Sequence, residues 1–267
     1  MKRRKELFEF IDLNIRPAAL RDGMTNIMQL LHRLLRTDKI LASKITHVVK
    51  ITGMTEILDL CSGAGGPFPE LLFEMKNTHG ISLQVTLSDF IPHKTAKYTL
   101  HRKCRGIHYM EKSVDASHIP AHTGAIRTLF LGFHHMPPGT AKSILHDAYK
   151  KNQPLCIFEI SEHSWRGILA ALFVPFIIFI FTPFIKPSFS QIFFTYIIPL
   201  IPFMMTWDGI VSQLRTYSVD ELRELTADLR KPDYHWDIGV IKVRYLSHES
   251  PYLMGIPVKE SKQDGDK

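Results

Sequence analysis

Residues 58–72, LDLCSGAGGPFPELL, set Asp59, Cys61, Gly63, Ala64 and Gly65 between an apolar run and an apparent helix. Glycines at such a turn let a ligand lie directly on the backbone. The spacing is not GxGxxG, and the GK[ST] ending of a phosphate-cradling loop is absent. The next apolar run, residues 82–89, ends in Asp89, with Phe90 behind it. A carboxylate at a neighbouring strand end accepts hydrogen bonds from a ribose diol, so turn and acid together specify a nucleoside without requiring a pyrophosphate. A fourth run closes on His134 and His135, side chains that titrate near neutral pH and serve as bases. Adjacent histidines in a strand project in different directions, and no third ligand has suitable spacing, so no metal site is expected. Glu159, Glu162 and His163 follow a fifth run, while Arg215 and Tyr217 follow a long apolar stretch. Their order along the chain makes Glu159, His163, Arg215 and Tyr217 candidates for acceptor contacts, with a solvated rim as the plainer reading.

These residues sit in a regular series. Residues 4 to about 50 read as helices, with Ile27, Leu30, Leu31, Leu34 and Leu35 at helical spacing. From Glu56 the chain alternates: strands at 56–60, 82–89, 106–110, 126–136 and 154–160, and helices from Pro67, over 93–103 and over 137–151. The fifth strand, PLCIFEI, is nearly all apolar, as a strand covered on both faces should be. A helix at 217–229, with Ser218 as N-cap and Glu221 at the capping-box position, precedes two strands at 234–245 and 250–258. Strand–helix alternation of this kind predicts a parallel α/β sheet with helices on both faces. No internal repeat is visible.

Read together, DLCSGAGG at a strand–helix turn and the acid ending the next strand resemble the first motifs of class I S-adenosylmethionine-dependent methyltransferases. The likeness covers residues 50–160 well and 210–258 moderately. It implies a Rossmann-like fold with a mainly parallel seven-stranded sheet and a final antiparallel strand. It also implies S-adenosylmethionine as cofactor. Gly63 and Gly65 match the glycine turn that packs on the methionine part; Cys61 stands where the family often has its first glycine. Asp59, Ala64 and Phe90 belong to the same two motifs, and Asp89 matches the ribose acid. SVDASHIP, residues 113–120, is similar to the segment whose acid contacts the adenine amine, which points to Asp115 and Ala116.

The largest departure from that family is an insert. Residues 168–185 and 192–207 are uncharged runs of 18 and 16 residues, separated by a polar turn around Lys186 and Pro187. A full span takes about 20 apolar residues, and Pro175, Pro183, Pro199 and Pro202 interrupt both runs. A spanning hairpin and a re-entrant or interfacial one both remain open; the plainer alternative is a lid folded on the domain's own core. Membrane contact is the expectation, because a helix apolar all round needs burial on every side. Both ends of the insert return to one domain, and a soluble cofactor would place that domain on the cytoplasmic side, where the basic MKRRK start and Arg166 suit an anionic leaflet. The expected organisation is therefore an N-terminal helical segment (1–50), a cofactor-binding core (51–165), the apolar insert (166–209), the rest of the core (210–258) and a polar tail (259–267).

Composition sets the outer bounds. Apolar residues make up 45% and charged residues 22% of 267, which describes a globular chain rather than a disordered one. The formal charge of +7 serves an anionic membrane face as well as it serves nucleic acid. Three cysteines without a CxxC pairing are expected to be free thiols in a reducing compartment, and the N-terminus lacks the apolar core of a secretory signal. An acceptor region that is apolar rather than basic, without an NPPY-like signature, argues against nucleic acid as partner. The expected activity is methyl transfer to an O, C or N atom of a hydrophobic, lipid-like small molecule, such as a prenylated or polyketide-like ring. A nucleic-acid or protein methyltransferase, or a non-catalytic membrane protein of the same fold, stands as the alternative.

Overall fold

The apolar runs pair into one sheet. In the computed structural model, β1 (Glu56–Asp59), β2 (Gln84–Leu87), β3 (Ile107–Tyr109), β4 (Ile126–Phe130), β5 (Leu155–Phe158), β6 (Tyr234–Lys242) and β7 (Glu249–Pro257) lie in the order β3-β2-β1-β4-β5-β7-β6. The structure describes residues 4–13, 17–92, 100, 104–120, 124–185, 187–243, 246 and 249–258. β1 runs parallel to β2 and β4, β2 to β3, and β4 to β5. Only β7 is reversed, lying antiparallel to both β5 and β6. The strand order turns about β1 and β4, which opens a crevice beyond the carboxyl ends of β1, β2 and β4.

Two apolar layers cover the sheet. On one face α2 (Thr37–Thr52) and α3 (Phe68–His79) bury Ile45, Val48, Phe68, Leu71 and Met75 against Ile57, Val85 and Phe130. On the other, α4 (Pro138–Lys150) and α9 (Val219–Thr226) pack Ala141, Ile144, Leu145 and Leu222 onto Leu58, Leu129, Ile157 and Leu253. The capping box expected at Ser218 and Glu221 is formed in both directions. All three cysteines are free. The expected helix over 93–103 and the polar tail at 259–267 lie outside the described residues, apart from the helical, buried Leu100.

Two expectations are corrected. Residues 4–9 are not helical; they run irregularly into a 3₁₀ turn at Phe10–Asp12. β4 stops at Phe130 instead of continuing to 136, because Leu131 takes a φ of 53° that no strand can hold, and a 3₁₀ turn follows at Phe133–His135. The N-terminal helices divide at Arg36 (φ 51°), with α2 packing on the sheet's helix α3 and α1 (Ala18–Leu35) packing on the insert.

The insert comprises α5 (Trp165–Leu172), α6 (Val174–Phe181), a 3₁₀ turn (Thr182–Ile185), α7 (Phe189–Ile192), a π turn (Phe193–Ile197) and α8 (Leu200–Arg215). Pro175 falls in the first turn of α6, where a missing N–H is tolerated, so Trp165–Ile185 reads as one apolar leg of 21 residues, long enough to cross a membrane. The second leg is bent by 76° between Ile197 and Leu200, at Pro199. Inward, Ile178, Ile201, Met204 and Met205 form a separate core with Leu20, Met24, Ile27 and Leu30 of α1. Outward, Phe173, Phe176, Ile180, Phe184, Phe189, Ile197 and Phe203 are exposed.

Candidate active site

The glycine loop is built around one buried acid. Asp59, the last residue of β1, is only 2% exposed, and its two carboxylate oxygens accept from Ser62 Oγ and Thr128 Oγ1, each at 2.6 Å. The Asp59 carbonyl accepts from the backbone N–H and the hydroxyl of Ser88, which ties the loop to the end of β2. Burial, opposed by these two hydroxyls and reinforced by Asp89, pushes the Asp59 carboxyl up to about 8. Asp59 therefore shapes the loop from beneath and does not face a ligand, a correction to its placement among the cofactor contacts. Cys61, with φ 61°, is half-buried, and desolvation together with Asp89 raises its thiol to about 12. Its Cβ backs onto Gly132, where an added Cβ would stand 3.0 Å away.

Above this base the loop is open. Gly63 (φ 51°) and Gly66 (φ 46°) are left-handed, and a Cβ on either would meet nothing within 4 Å, whereas one on Gly65 (φ 101°) would collide with Leu100. Tyr109 donates its hydroxyl to the Gly63 carbonyl at 2.8 Å. Asp89 Oδ2 accepts the Gly63 N–H at 2.8 Å and Oδ1 accepts the Ile91 N–H at 2.9 Å. Each oxygen keeps a lone pair for a further donor. Phe90 (65% exposed) and Ile91 (64% exposed) present apolar surface beside that carboxylate.

The loop carrying Asp115 joins the same group, since Val114 N–H donates to the Asp89 carbonyl and Ser113 Oγ to the Phe90 carbonyl. Asp115 accepts from Ser117 N and Oγ, which holds its carboxyl below the usual range. Ala116 is buried beneath it. Gly63, Ala64, Gly65, Asp89, Phe90 and Asp115 thus come together at the crevice. Ser62, Ser88, Tyr109 and Thr128, which hold this geometry, gave no motif signal.

The two histidines are placed otherwise than expected. Because they occupy a 3₁₀ turn and not a strand, both rings project to one side, with centroids 4.2 Å apart. His134 is buried; its Nδ1 lies 2.8 Å from Glu159 Oε2, and its backbone N–H donates to Glu159 Oε1 at 3.0 Å. Burial opposes a charge on this ring, but Glu159 and Glu9 push it up to about 10. A ring held protonated is no general base, which corrects the catalytic expectation for His134. His135 Nδ1 lies 2.8 Å from Asp12 Oδ1, and Arg215 reaches Asp12 Oδ2 at 2.7 Å and the His135 carbonyl at 3.0 Å. Glu9, 2% exposed, stands among the two rings and Arg215.

Glu159 and Arg215, expected to contact an acceptor, are thus spent on this cluster. Tyr217 is buried too, donating to the Met136 carbonyl under the Arg4 guanidinium, and His163 is half-buried beside the backbone of Leu214 and Thr216. Glu9 and Asp12 lie more than a hundred residues from the histidines, so no local spacing links them.

A small cavity of about 20 Å³ lies beside the cluster, with room for about one water. Pro67 of the glycine loop, Leu131, Phe158, Glu159 and Ile160 from the carboxyl ends of β4 and β5, and Ile40 and Leu41 of α2 line it. It therefore joins the glycine turn to the strand ends where His134 is anchored.

No family model matches the chain. No curated protein matches it either. Among solved structures, similarity is found to the plantazolicin methyltransferase BpumL in complex with a pentazolic desmethylPZN analog and SAH, at 10% identity and TM-score 0.49, covering 90% of this chain and 98% of that one. Magnesium protoporphyrin IX methyltransferase from Synechocystis PCC 6803 is similar at 11% identity and TM-score 0.46, covering 95% of this chain and 90% of that one. Human N-acetylserotonin methyltransferase is similar at 12% identity and TM-score 0.49, covering 96% of this chain and 63% of that one. With the order β3-β2-β1-β4-β5-β7-β6, β7 alone reversed and a glycine turn after β1, the chain has the Rossmann-like fold of the class I S-adenosylmethionine-dependent methyltransferases.

Proposed function

We propose that the protein is an S-adenosylmethionine-dependent methyltransferase acting on a lipophilic small molecule at a membrane surface. The observation that carries the cofactor reading is the open left-handed turn at Gly63, joined through its N–H to the Asp89 carboxylate at the end of the next strand. The residues fit the group. Asp89 has lone pairs for the ribose hydroxyls, Phe90 and Ile91 offer an apolar face for a purine, and Asp115 lies on the adjoining loop. Bound there, S-adenosylmethionine supplies a sulfonium methyl that an aligned oxygen, nitrogen or carbon nucleophile takes directly.

The chain's own contribution is then position and exclusion of water. Cys61, packed on Gly132, fixes the loop against the end of β4, and Pro67, Leu131 and Phe158 give the neighbouring cavity a largely apolar wall. No protein base is required by this reading.

The acceptor reading rests on the insert. It follows β5 directly and returns at Arg215, so it stands beside the carboxyl ends of the strands that flank the cofactor turn. Only 17% of the apolar window in Trp165–Ile185 is buried, which supports membrane contact, and the bent second leg supports an element that dips as much as one that crosses. Such an element hands a membrane-dissolved acceptor to the crevice, with the domain on the cytoplasmic side.

Isothermal titration of the detergent-solubilised chain with S-adenosylmethionine tests the cofactor reading. Saturable binding that Asp89→Ala weakens supports it; no heat from the unaltered protein sinks it.

A further inference from the structure

We propose that Glu9, His134 and His135 form a binding site for a divalent transition metal of the zinc class. Their three ligand atoms lie within 4.8 Å of one another. His134 Nε2 stands 3.6 Å from Glu9 Oε1, and His135 Nε2 stands 3.7 Å from Glu9 Oε2. These separations are too long for hydrogen bonds. They are close to the edge of a tetrahedron with metal–ligand bonds of about 2.1 Å, which is roughly 3.4 Å.

Three further observations point to a cation. His134 is 4% exposed, and its Nε2 is buried with no hydrogen-bond partner, aimed at Glu9. Both rings also turn Nδ1 to a carboxylate, His134 to Glu159 Oε2 and His135 to Asp12 Oδ1, each at 2.8 Å. That leaves each Nε2 toward the Glu9 carboxylate, and the His134–Glu159 hydrogen bond is the carboxylate–histidine pairing that orients ligating imidazoles. Finally, three carboxylates gather around the two rings: Glu9 and Asp12 also meet the Arg215 guanidinium, and Glu159 meets His134.

Two imidazoles and one carboxylate form a donor set suited to zinc, and they leave a coordination position for an oxygen. The ion replaces the proton on His134 Nε2 and leaves the Nδ1–H on Glu159. It fastens the N-terminal segment to the turn after β4, because Glu9 comes from the segment and both histidines from the turn. The site does not depend on the methyl-transfer reading and is tested without it.

The test uses the full chain, stripped with chelator and titrated with zinc in a calorimeter, and separately with cobalt(II) followed by its visible absorption. The proposal expects one ion per chain, and a tetrahedral cobalt spectrum that zinc displaces. Glu9→Gln, which keeps the shape, and His135→Ala, at the half-exposed ring, are each expected to weaken binding at least tenfold while circular dichroism stays unchanged. Unaltered binding in both variants, or no uptake by the stripped chain with native circular dichroism, overturns it. Limited proteolysis gives a second readout: zinc is expected to slow cleavage near Lys5 in the unaltered chain and not in Glu9→Gln, and equal rates with and without zinc would count against the clamp.

Discussion

Replacing Asp59 by Asn isolates the acid on which the glycine loop is built. In the folded chain this carboxyl is 2% exposed and pushed up to about 8, against an ordinary value of 3.8. The raised value means that the folded state holds a proton that the unfolded state has lost. The stability tied to that proton is full below about pH 4, falls as pH rises, and is gone above about 8. One proton corresponds to about 1.4 kcal/mol per pH unit, so between pH 5 and pH 7 the wild type loses roughly 2.7 kcal/mol through this group. The contacts accept the neutral form. Ser62 Oγ lies 2.6 Å from Oδ2 and 3.1 Å from the Asp59 carbonyl, so it can take the acid's proton and pass its own to that carbonyl. An Asn amide places N–H where the acid has O–H, and keeps Oδ1 for Thr128. Other groups titrate in this range, but they do so in both proteins and cancel in the difference. Urea unfolding in mild detergent at pH 5, 6 and 7, followed by tryptophan fluorescence, reads that difference. The Asp59→Asn variant should gain on the wild type by about 2–3 kcal/mol over the two units. A difference that does not change with pH, or one of opposite slope, would refute a neutral buried acid under the loop.

Other consequences concern the crevice and the insert. Asp89→Ala removes the acceptor for the ribose hydroxyls and frees the Gly63 N–H; charge-assisted hydrogen bonds of about 1.5–3 kcal/mol imply S-adenosylmethionine binding at least tenfold weaker by calorimetry, with the melting temperature little changed. Gly132→Ala sets a Cβ 3.0 Å from the Cys61 Cβ; overpacking of about 1–3 kcal/mol there should lower both stability and cofactor affinity, the second read by the same titration. Phe184→Glu together with Phe189→Glu alters rings that are 77% and 83% exposed, so folding should be untouched while flotation with anionic vesicles drops more than tenfold, at about 1.5–3 kcal/mol per ring.

The sheet was legible because each strand is a short apolar run with its own turn signals, and β5, buried on both faces, shows no polar alternation at all. The cofactor loop was legible because its chemistry is local: Gly63, Gly65 and Asp89 fall on consecutive strand ends. Residues whose roles come from distant partners were not. Glu9 meets His134 only because the N-terminal segment crosses α8, pinned where the backbone N–H groups of Phe10 and Ile11 donate to Asp208. The end of β4 was misplaced for a related reason. GFHHM continues the apolar pattern, and nothing in the residue types announces the positive φ at Leu131 that turns both imidazoles to one side. Asp59 looked like a ligand contact because it belongs to the loop's motif, yet Ser62 and Thr128 close over it.

Transfer of labelled methyl from S-adenosylmethionine into a membrane lipid extract tests the central claim most directly. With the purified chain and vesicles made from that extract, the account predicts label in the organic phase, lost in Asp89→Ala and reduced in the Phe184→Glu, Phe189→Glu double variant. Label appearing only in the aqueous fraction, or in no fraction although the cofactor binds, would contradict it.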